Sequence, residues 1–261
     1  MNNNRFSKNK YDGVLLYSGG LDSYVAYYYV SKVRKANVIP VYFCLGNTYE
    51  WFEEDHILNM KEFNVLVDSC LKVGDIEDLN NFHIPMRNVL LMILAATRFH
   101  ENVFIGSLFD DNSPDGDEKT FKLVTKLLNH VENQEYKDKV FNVYAPFRED
   151  GLRKAQVCRW YTQNIGTAEN LTRNTVSCFN PQKRKETVGL KDGDYESPHC
   201  YSCPACFRRN ASLFDVGVNL PFYRKDLILS YKEKFESKTY DIVRSQVSLK
   251  YINWLKENGY F

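Results

Sequence analysis

The residues best suited to chemistry form one hexad, Ser18-Gly19-Gly20-Leu21-Asp22-Ser23. It follows a strand-like run, GVLLY (13–17), and opens a helix-like one over Leu21–Lys32. In that position it offers successive backbone N–H groups, two glycines that let an anion come close, two hydroxyls and the positive end of a helix dipole. That is a cradle for phosphate. It lacks the lysine and spacing of GxxxxGK[ST] and is not GxGxxG, so an ordinary P-loop and a dinucleotide fingerprint are both excluded. A carboxylate faces phosphate only across a cation, which assigns Asp22 to Mg²⁺. A plain Gly-Gly turn with a helix cap would need fewer small and polar residues.

A second group is built of thiols. Seven cysteines are unevenly placed, and Cys178, Cys200, Cys203 and Cys206 give C-x21-C-x2-C-x2-C. Four thiolates close a tetrahedral Zn²⁺ site, with no open position for a reactive water. His199, beside Cys200, competes with Cys178 for the fourth place, and an iron–sulfur cluster would accept the same ligands. Zinc is preferred because no redox partner is evident. Cys44, Cys70 and Cys158 sit in apolar or helical contexts and read as buried thiols without a catalytic role.

Both groups need a scaffold. Strand-like runs recur at 13–17, 38–44, 64–68, 102–107 and 141–146, separated by helix-length segments Leu21–Lys32, Trp51–Lys61, Asn88–His100, Asp117–Glu132 and Gly151–Ile165. This alternation predicts an α/β fold with a doubly wound parallel sheet over residues 1–174, and a ligand at the carboxyl ends of its strands. From Thr175 a polar stretch leads into the cysteines and two helical patterns, about 207–236 and 239–258, which predicts a zinc-binding, helical C-terminal portion over 175–261. Lys183, Arg184, Lys185 and Lys191 make the intervening loop basic; it reads as solvated, or as a dock for an acidic partner or nucleic acid. Over the 261 residues, 34 Lys and Arg against 33 Asp and Glu leave +1, with no whole-chain signal for a polyanion. No apolar run approaches the roughly 20 residues of a membrane span. MNNNRFSKNKYD lacks the apolar centre of a secretory signal, so a cytoplasmic location with no membrane partner is expected.

The hexad resembles the signature of the PP-loop ATP pyrophosphatases, a HUP-like, Rossmann-like class that transfers AMP to a carboxylate or base carbonyl and releases pyrophosphate. TVSCFN (175–180) with CYSCPACFRRNASL (200–213) resembles the zinc segment of the 7-cyano-7-deazaguanine synthase (QueC-like) family. IPMRNVLLMILAA (84–96) resembles its Arg-Asn helix start, FIGSLFDDNSPDGDEKTF (104–121) its acidic substrate loop, and YAPFREDGLRKAQ (144–156) its lysine-bearing stretch. The likeness runs over about 12–214. It implies ATP, Mg²⁺ and Zn²⁺ as cofactors, 7-carboxy-7-deazaguanine and ammonia as substrates, a nitrile product reached through an adenylate and an amide, and a homodimer.

The same likeness assigns nucleotide binding to Ser18, Gly19, Gly20, Leu21, Asp22 and Ser23, and catalysis to Asp22, Arg87 and Lys154. Arg87 would hold the substrate carboxylate or the α-phosphate, and Lys154 would neutralise charge as pyrophosphate departs. Substrate binding falls to Arg87, Asn88, Phe109, Asp110, Asp111 and Asp115: one of the three aspartates accepts the N–H groups of the base, and Phe109 stacks on its ring. Each has an ordinary alternative, as a solvated helix charge or an exposed Asp/Asn/Pro/Gly turn.

One segment departs from the family. Where a Tyr-Gly-Gln stretch is usual, the chain reads YFCLGNTYEWFEEDH (42–56), which keeps Gly46 but brings in Asn47, Tyr49 and Trp51. The departure leaves open a relative, of the kind found beside anti-phage or nucleic-acid-modification genes, that joins the activated deazaguanine to an amine of a protein or other macromolecule. A tRNA-thiolating PP-loop enzyme would want a reactive cysteine pair and a basic RNA-binding extension. A nucleotide-binding regulatory module with a zinc knuckle is the reading without catalysis.

Overall fold

A computed structural model describes residues 11–69, 76–78, 84–132, 139–181, 199–237 and 241–261. Cys70 and the basic residues Lys183, Arg184, Lys185 and Lys191 lie outside the described residues. Five strands, β1 (Gly13–Leu16), β2 (Val38–Phe43), β3 (Leu66–Asp68), β4 (Val103–Ile105) and β5 (Val143–Tyr144), form one parallel sheet in the order β3-β2-β1-β4-β5. The chain turns outward from β1 in both directions, so the sheet has its switch point between β1 and β4. Pro40 is tolerated in β2 because β3 pairs only with Val41–Phe43, beyond it.

Side-chain alternation in β1 divides the core. Leu15 and Tyr17 face one layer with α1 (Leu21–Lys32), α5 (Pro146–Glu149) and α6 (Lys154–Asn164). Val14 and Leu16 face the other, with Met92 and Ala96 of α3 (Arg87–Phe99) and Phe121, Val124 and Leu128 of α4 (Glu118–Glu132). Helices on both faces of a parallel sheet are the doubly wound arrangement that the alternation of apolar runs predicts. α2 (Glu50–Asn59) follows β2 and supplies Ile57 to the first layer.

A third apolar cluster gathers the four cysteines with Phe207 and Ala211 of α8 (Pro204–Phe214), Ile228 and Phe235 of α9 (Lys225–Glu236), and Tyr251, Ile252 and Leu255 of α10 (Ile242–Glu257). A short α7 (Ala168–Arg173) leads into it. The helix expected over 207–236 is in fact two. Gly217, in a left-handed conformation, and Pro221 fall between α8 and α9, where a helix cannot continue. The segment expected over Gly151–Ile165 likewise starts only at Lys154, with a separate turn of helix at Pro146–Glu149. Among the described residues no helix is long and apolar enough to cross a membrane.

Leu15 is fully buried at the centre of the sheet. Leu15→Ala is expected to lower unfolding stability by about 2–5 kcal/mol, measured by urea denaturation with an unchanged slope.

Candidate active site and cysteine cluster

The hexad forms the turn from β1 into α1. Gly19 takes φ +71, a conformation that favours glycine, and Gly20 caps α1 with no side chain of its own, its N–H donating to Ser18 Oγ at 3.3 Å. Ser23 ties the turn together: its Oγ accepts from Ser18 N–H at 3.2 Å and donates to Gly20 O at 3.0 Å. The Ser18 and Ser23 hydroxyls lie 3.3 Å apart, so both take part in the shape of the loop. Gly106, just after β4, lets the backbone pass close by; a Cβ there would lie 3.1 Å from the Asp22 carbonyl.

Lys154, the first residue of α6, reaches Asp22: Nζ stands 2.7 Å from Oδ2. The other carboxylate oxygen, Oδ1, is buried with no hydrogen-bond partner. Desolvation pushes the Asp22 carboxyl up, and Lys154 pulls against it. A second pair lies alongside, with Arg208 of α8 at 2.7 Å from Asp111 Oδ1. Although burial works against it, the charges of Arg208 and Lys154 and the Leu108 N–H hold Asp111 below the usual carboxylate range. Arg148 fixes the same loop by donating to the Asp111 carbonyl at 2.7 Å.

Ser18, Asp22, Ser23 and Asp111 line an open cleft above β1 and β4, with Tyr42, Asn47, Tyr49, Glu53, Arg87, Asn88 and Ser107; Lys154 and Arg208 stand behind the two aspartates and do not line it. Arg87 opens α3 and donates to the buried Tyr49 hydroxyl at 3.1 Å. Glu53 accepts from Tyr42 Oη at 3.1 Å. Burial pushes the Glu53 carboxyl up to about 7, with Arg87 and Tyr42 opposing.

The remaining expected residues are placed differently. Asp115 accepts from Asn88 N–H at 3.0 Å and from Asn88 Nδ2 at 3.3 Å, and Ser113 also donates to it, so its oxygens cap the start of α3. Phe109 is half exposed, with the Arg153 guanidinium 4.9 Å over its ring. Gly19, Gly20, Leu21, Phe109, Asp110, Asp115 and Lys154 are not among the residues lining the cleft, whereas Ser18, Asp22, Ser23, Arg87, Asn88 and Asp111 are. Arg208, Glu53 and Tyr42 carry no motif in the sequence, and Tyr49 stands out there only as a departure from the family pattern. Tyr49 and Glu53 come from the unusual 42–56 segment, and Arg208 stands two residues past Cys206.

Cys178, Cys200, Cys203 and Cys206 converge, all buried, with sulfurs within 4.8 Å of one another. Tetrahedral zinc with 2.3 Å Zn–S bonds would set sulfurs about 3.8 Å apart; Cys200 and Cys206 sulfurs are 3.9 Å apart. The donor set therefore fits Zn²⁺. Cys203 caps α8 and accepts from Cys206 N–H at 3.4 Å, a helix terminus that favours the thiolate. His199 is hydrogen-bonded elsewhere: its Nε2 accepts from Ser177 N–H at 3.0 Å. Arg209 is 1% exposed, donates to the Thr172 carbonyl at 2.9 Å, and leaves Nε and Nη1 without partners. One helical turn from Cys206, its positive charge offsets buried thiolates. The cluster also touches the hexad, since Val176 N–H donates to Gly19 O at 2.9 Å.

The model for the QueC family, described as queuosine biosynthesis protein QueC, matches residues 52–217. The chain belongs to the QueC family. It is therefore an ATP-using synthase of the PP-loop class. A 7-cyano-7-deazaguanine synthase of Staphylococcus haemolyticus (strain JCSC1435) is 26% identical over 237 residues, covering 82% of this chain and 96% of that protein. The matched span of the QueC model takes in Arg87, the acidic loop, Lys154 and all four clustered cysteines, and stops before α9 and α10.

Because the folded protein holds the Glu53 proton more tightly than the unfolded chain, whose carboxyl sits near 4.5, this residue favours folding most below pH 4.5 and loses that contribution as pH rises through about 7. Glu53→Gln is therefore expected to raise Tm at pH 8 by about 2–4 °C, on the order of 1 kcal/mol, and to change little at pH 4. Calorimetry at the two pH values checks this; an equal shift at both would assign the effect to something other than ionisation.

Proposed function

We propose that this QueC-family chain activates the carboxylate of 7-carboxy-7-deazaguanine with ATP and passes the acyl group to ammonia, forming first the amide and then, with a second ATP, 7-cyano-7-deazaguanine. The observation that carries this reading is the Asp22–Lys154 pair at 2.7 Å, beside a glycine turn, with Asp22 on the wall of the open cleft and Lys154 directly behind it. The hexad would hold the phosphates on the backbone N–H groups at the start of α1. Asp22, with Oδ1 unpartnered, is the residue that would hold Mg²⁺, which supplies charge neutralisation on the phosphates. Lys154 is placed to follow the charge that develops as pyrophosphate leaves.

Arg87 and Asn88 open α3 toward the cleft, where a guanidinium can take a carboxylate in two parallel hydrogen bonds. Of the three loop aspartates Asp111 alone lines this space; Arg208 and the Leu108 N–H each take one of its oxygens, and its remaining lone pairs would accept the N–H donors of the base, while Asp115 sets the start of α3. The chemistry needs orientation and charge, and no side-chain nucleophile. Cys158 is fully buried, and desolvation pushes its thiol up to about 12, which suits a packing role. Zinc on the four cysteines would act structurally, by clamping the 178 and 200–206 segments together. A larger amine in place of ammonia is the second reading. It is favoured by the unusual 42–56 segment, which puts Asn47, Tyr49 and Glu53 on the cleft wall.

Purified protein with Mg-ATP, ammonium and 7-carboxy-7-deazaguanine should release AMP and pyrophosphate, with the nitrile identified by mass spectrometry. Lys154→Ala is expected to lower kcat by about 100-fold or more, in the range of a lost charge-stabilising group. No pyrophosphate with this base would sink the assignment. Metal analysis should find about one zinc per chain; Cys203→Ser should abolish it and lower Tm, and full zinc retention in that variant would contradict a four-thiolate site.

A further inference from the structure

Behind the ion pairs of the cleft lies a second, smaller and partly open cavity between α6, α8, α9 and α10. Lys154 and Arg208 line it, yet each is bonded at 2.7 Å to an aspartate of the first cleft, Asp22 and Asp111. Two ion pairs therefore form the partition between the two spaces. The far wall is built from α9 and α10, which follow the residues 52–217 matched to the family model.

The charges around it are unevenly satisfied. Arg153 pairs with Asp241 at 2.7 Å, and Arg244 donates to the Asp110 carbonyl at 3.2 Å. With Lys154 and Arg208 also paired, each cation on the wall is engaged. Asp110 also lines the cavity; it is 7% exposed, and its Oδ1 is buried with no hydrogen-bond partner. A buried carboxylate oxygen without a donor is unfavourable unless something supplies one. Ser248 adds a hydroxyl, and Phe207 and Tyr231 add aromatic faces. The group that meets this set carries N–H donors and a positive charge.

We infer that this cavity is the acceptor site: a protonated amine, either ammonium or the amine end of a short chain, docks on Asp110 and delivers its nitrogen across the partition. The inference rests on the adenylating reading above. The bound R–NH3⁺ gives one proton to the Asp110 carboxylate, and its lone pair forms the C–N bond to the acyl carbon. The C–O bond to AMP breaks, its electrons leave with AMP, and a second nitrogen proton passes to water. Loss of water around Asp110 raises the proton affinity of its carboxyl, which suits that transfer.

Two assays separate the steps. Exchange of pyrophosphate into ATP, dependent on 7-carboxy-7-deazaguanine and run without amine, reports activation; AMP release titrated with ammonium, methylamine or glycinamide reports the acceptor. Ser248→Phe, which fills the cavity away from the ion pairs, is expected to keep exchange and raise the glycinamide KM at least tenfold, with a smaller rise for ammonium. Asp110→Asn should raise the KM of every amine used by at least tenfold beyond any change in exchange. Turnover with ammonium alone identifies the acceptor as free ammonia, and preference for glycinamide identifies a chain-borne amine; either accompanies the KM shifts. Amine KM values within twofold of wild type in both variants, with exchange intact, overturn the cavity assignment. Wild-type protein that shows no acid-dependent exchange overturns the adenylating reading instead, and with it the step this cavity would serve.

Discussion

The Asp22–Lys154 ion pair fixes the starts of two helices that pack along their length, through Tyr24 and Tyr161 at 3.1 Å and through Lys32 on the Asn164 carbonyl at 3.0 Å. Asp22 belongs to the first turn of α1 and Lys154 to the first turn of α6, so the pair sets two helix starts against each other at the switch point of the sheet. Each group is largely withdrawn from water, where an unpaired charge would be costly and a paired one is held firmly. Arg208 and Asp111 repeat the arrangement between α8 and the loop after β4. The floor of the cleft is thus electrostatic, and its shape follows from which cation meets which carboxylate.

Half-satisfied groups are the counterpart of these pairs. Asp22 and Asp110 each keep one carboxylate oxygen buried without a donor, whereas Asp115 has its hydrogen bonds inside the protein. A fold that satisfies one aspartate of a loop and leaves another wanting has distinguished a structural residue from residues still able to meet a ligand. The same contrast separates Arg87, which meets a tyrosine hydroxyl at the cleft edge, from Arg209, enclosed beside the cysteines.

Much of this was legible in the sequence where local chemistry and fold coincide. The strand–hexad–helix succession reads directly because a tight strand-to-helix turn needs small residues at fixed spacing, and the cysteine spacing reads because four convergent thiols need it. Helix starts near Asn88 and Asp117 were placed within a residue. The long helix expected over 207–236 was not, because Gly217 and Pro221 stand among residues whose periodicity runs on. The roles of neighbouring aspartates were beyond the sequence: Asp110 and Asp111 differ only in the direction the backbone turns each carboxylate, and that depends on Arg208 and Arg244, far along the chain. Glu53 was hidden for a similar reason, since its proton affinity arises from burial beside Tyr42 rather than from any spacing.

The hydrogen bond from Val176 N–H to Gly19 O has a bearing on how the chain matures. Its partners stand 157 residues apart, so the phosphate turn is local in sequence but not in its completion. During synthesis the strand and helix on either side of it can form early, yet this contact waits until most of the polypeptide has been made. The earliest segment to take recognisable form is in this respect among the last to be finished, and the nascent chain completes its glycine turn only once its cysteine segment has arrived.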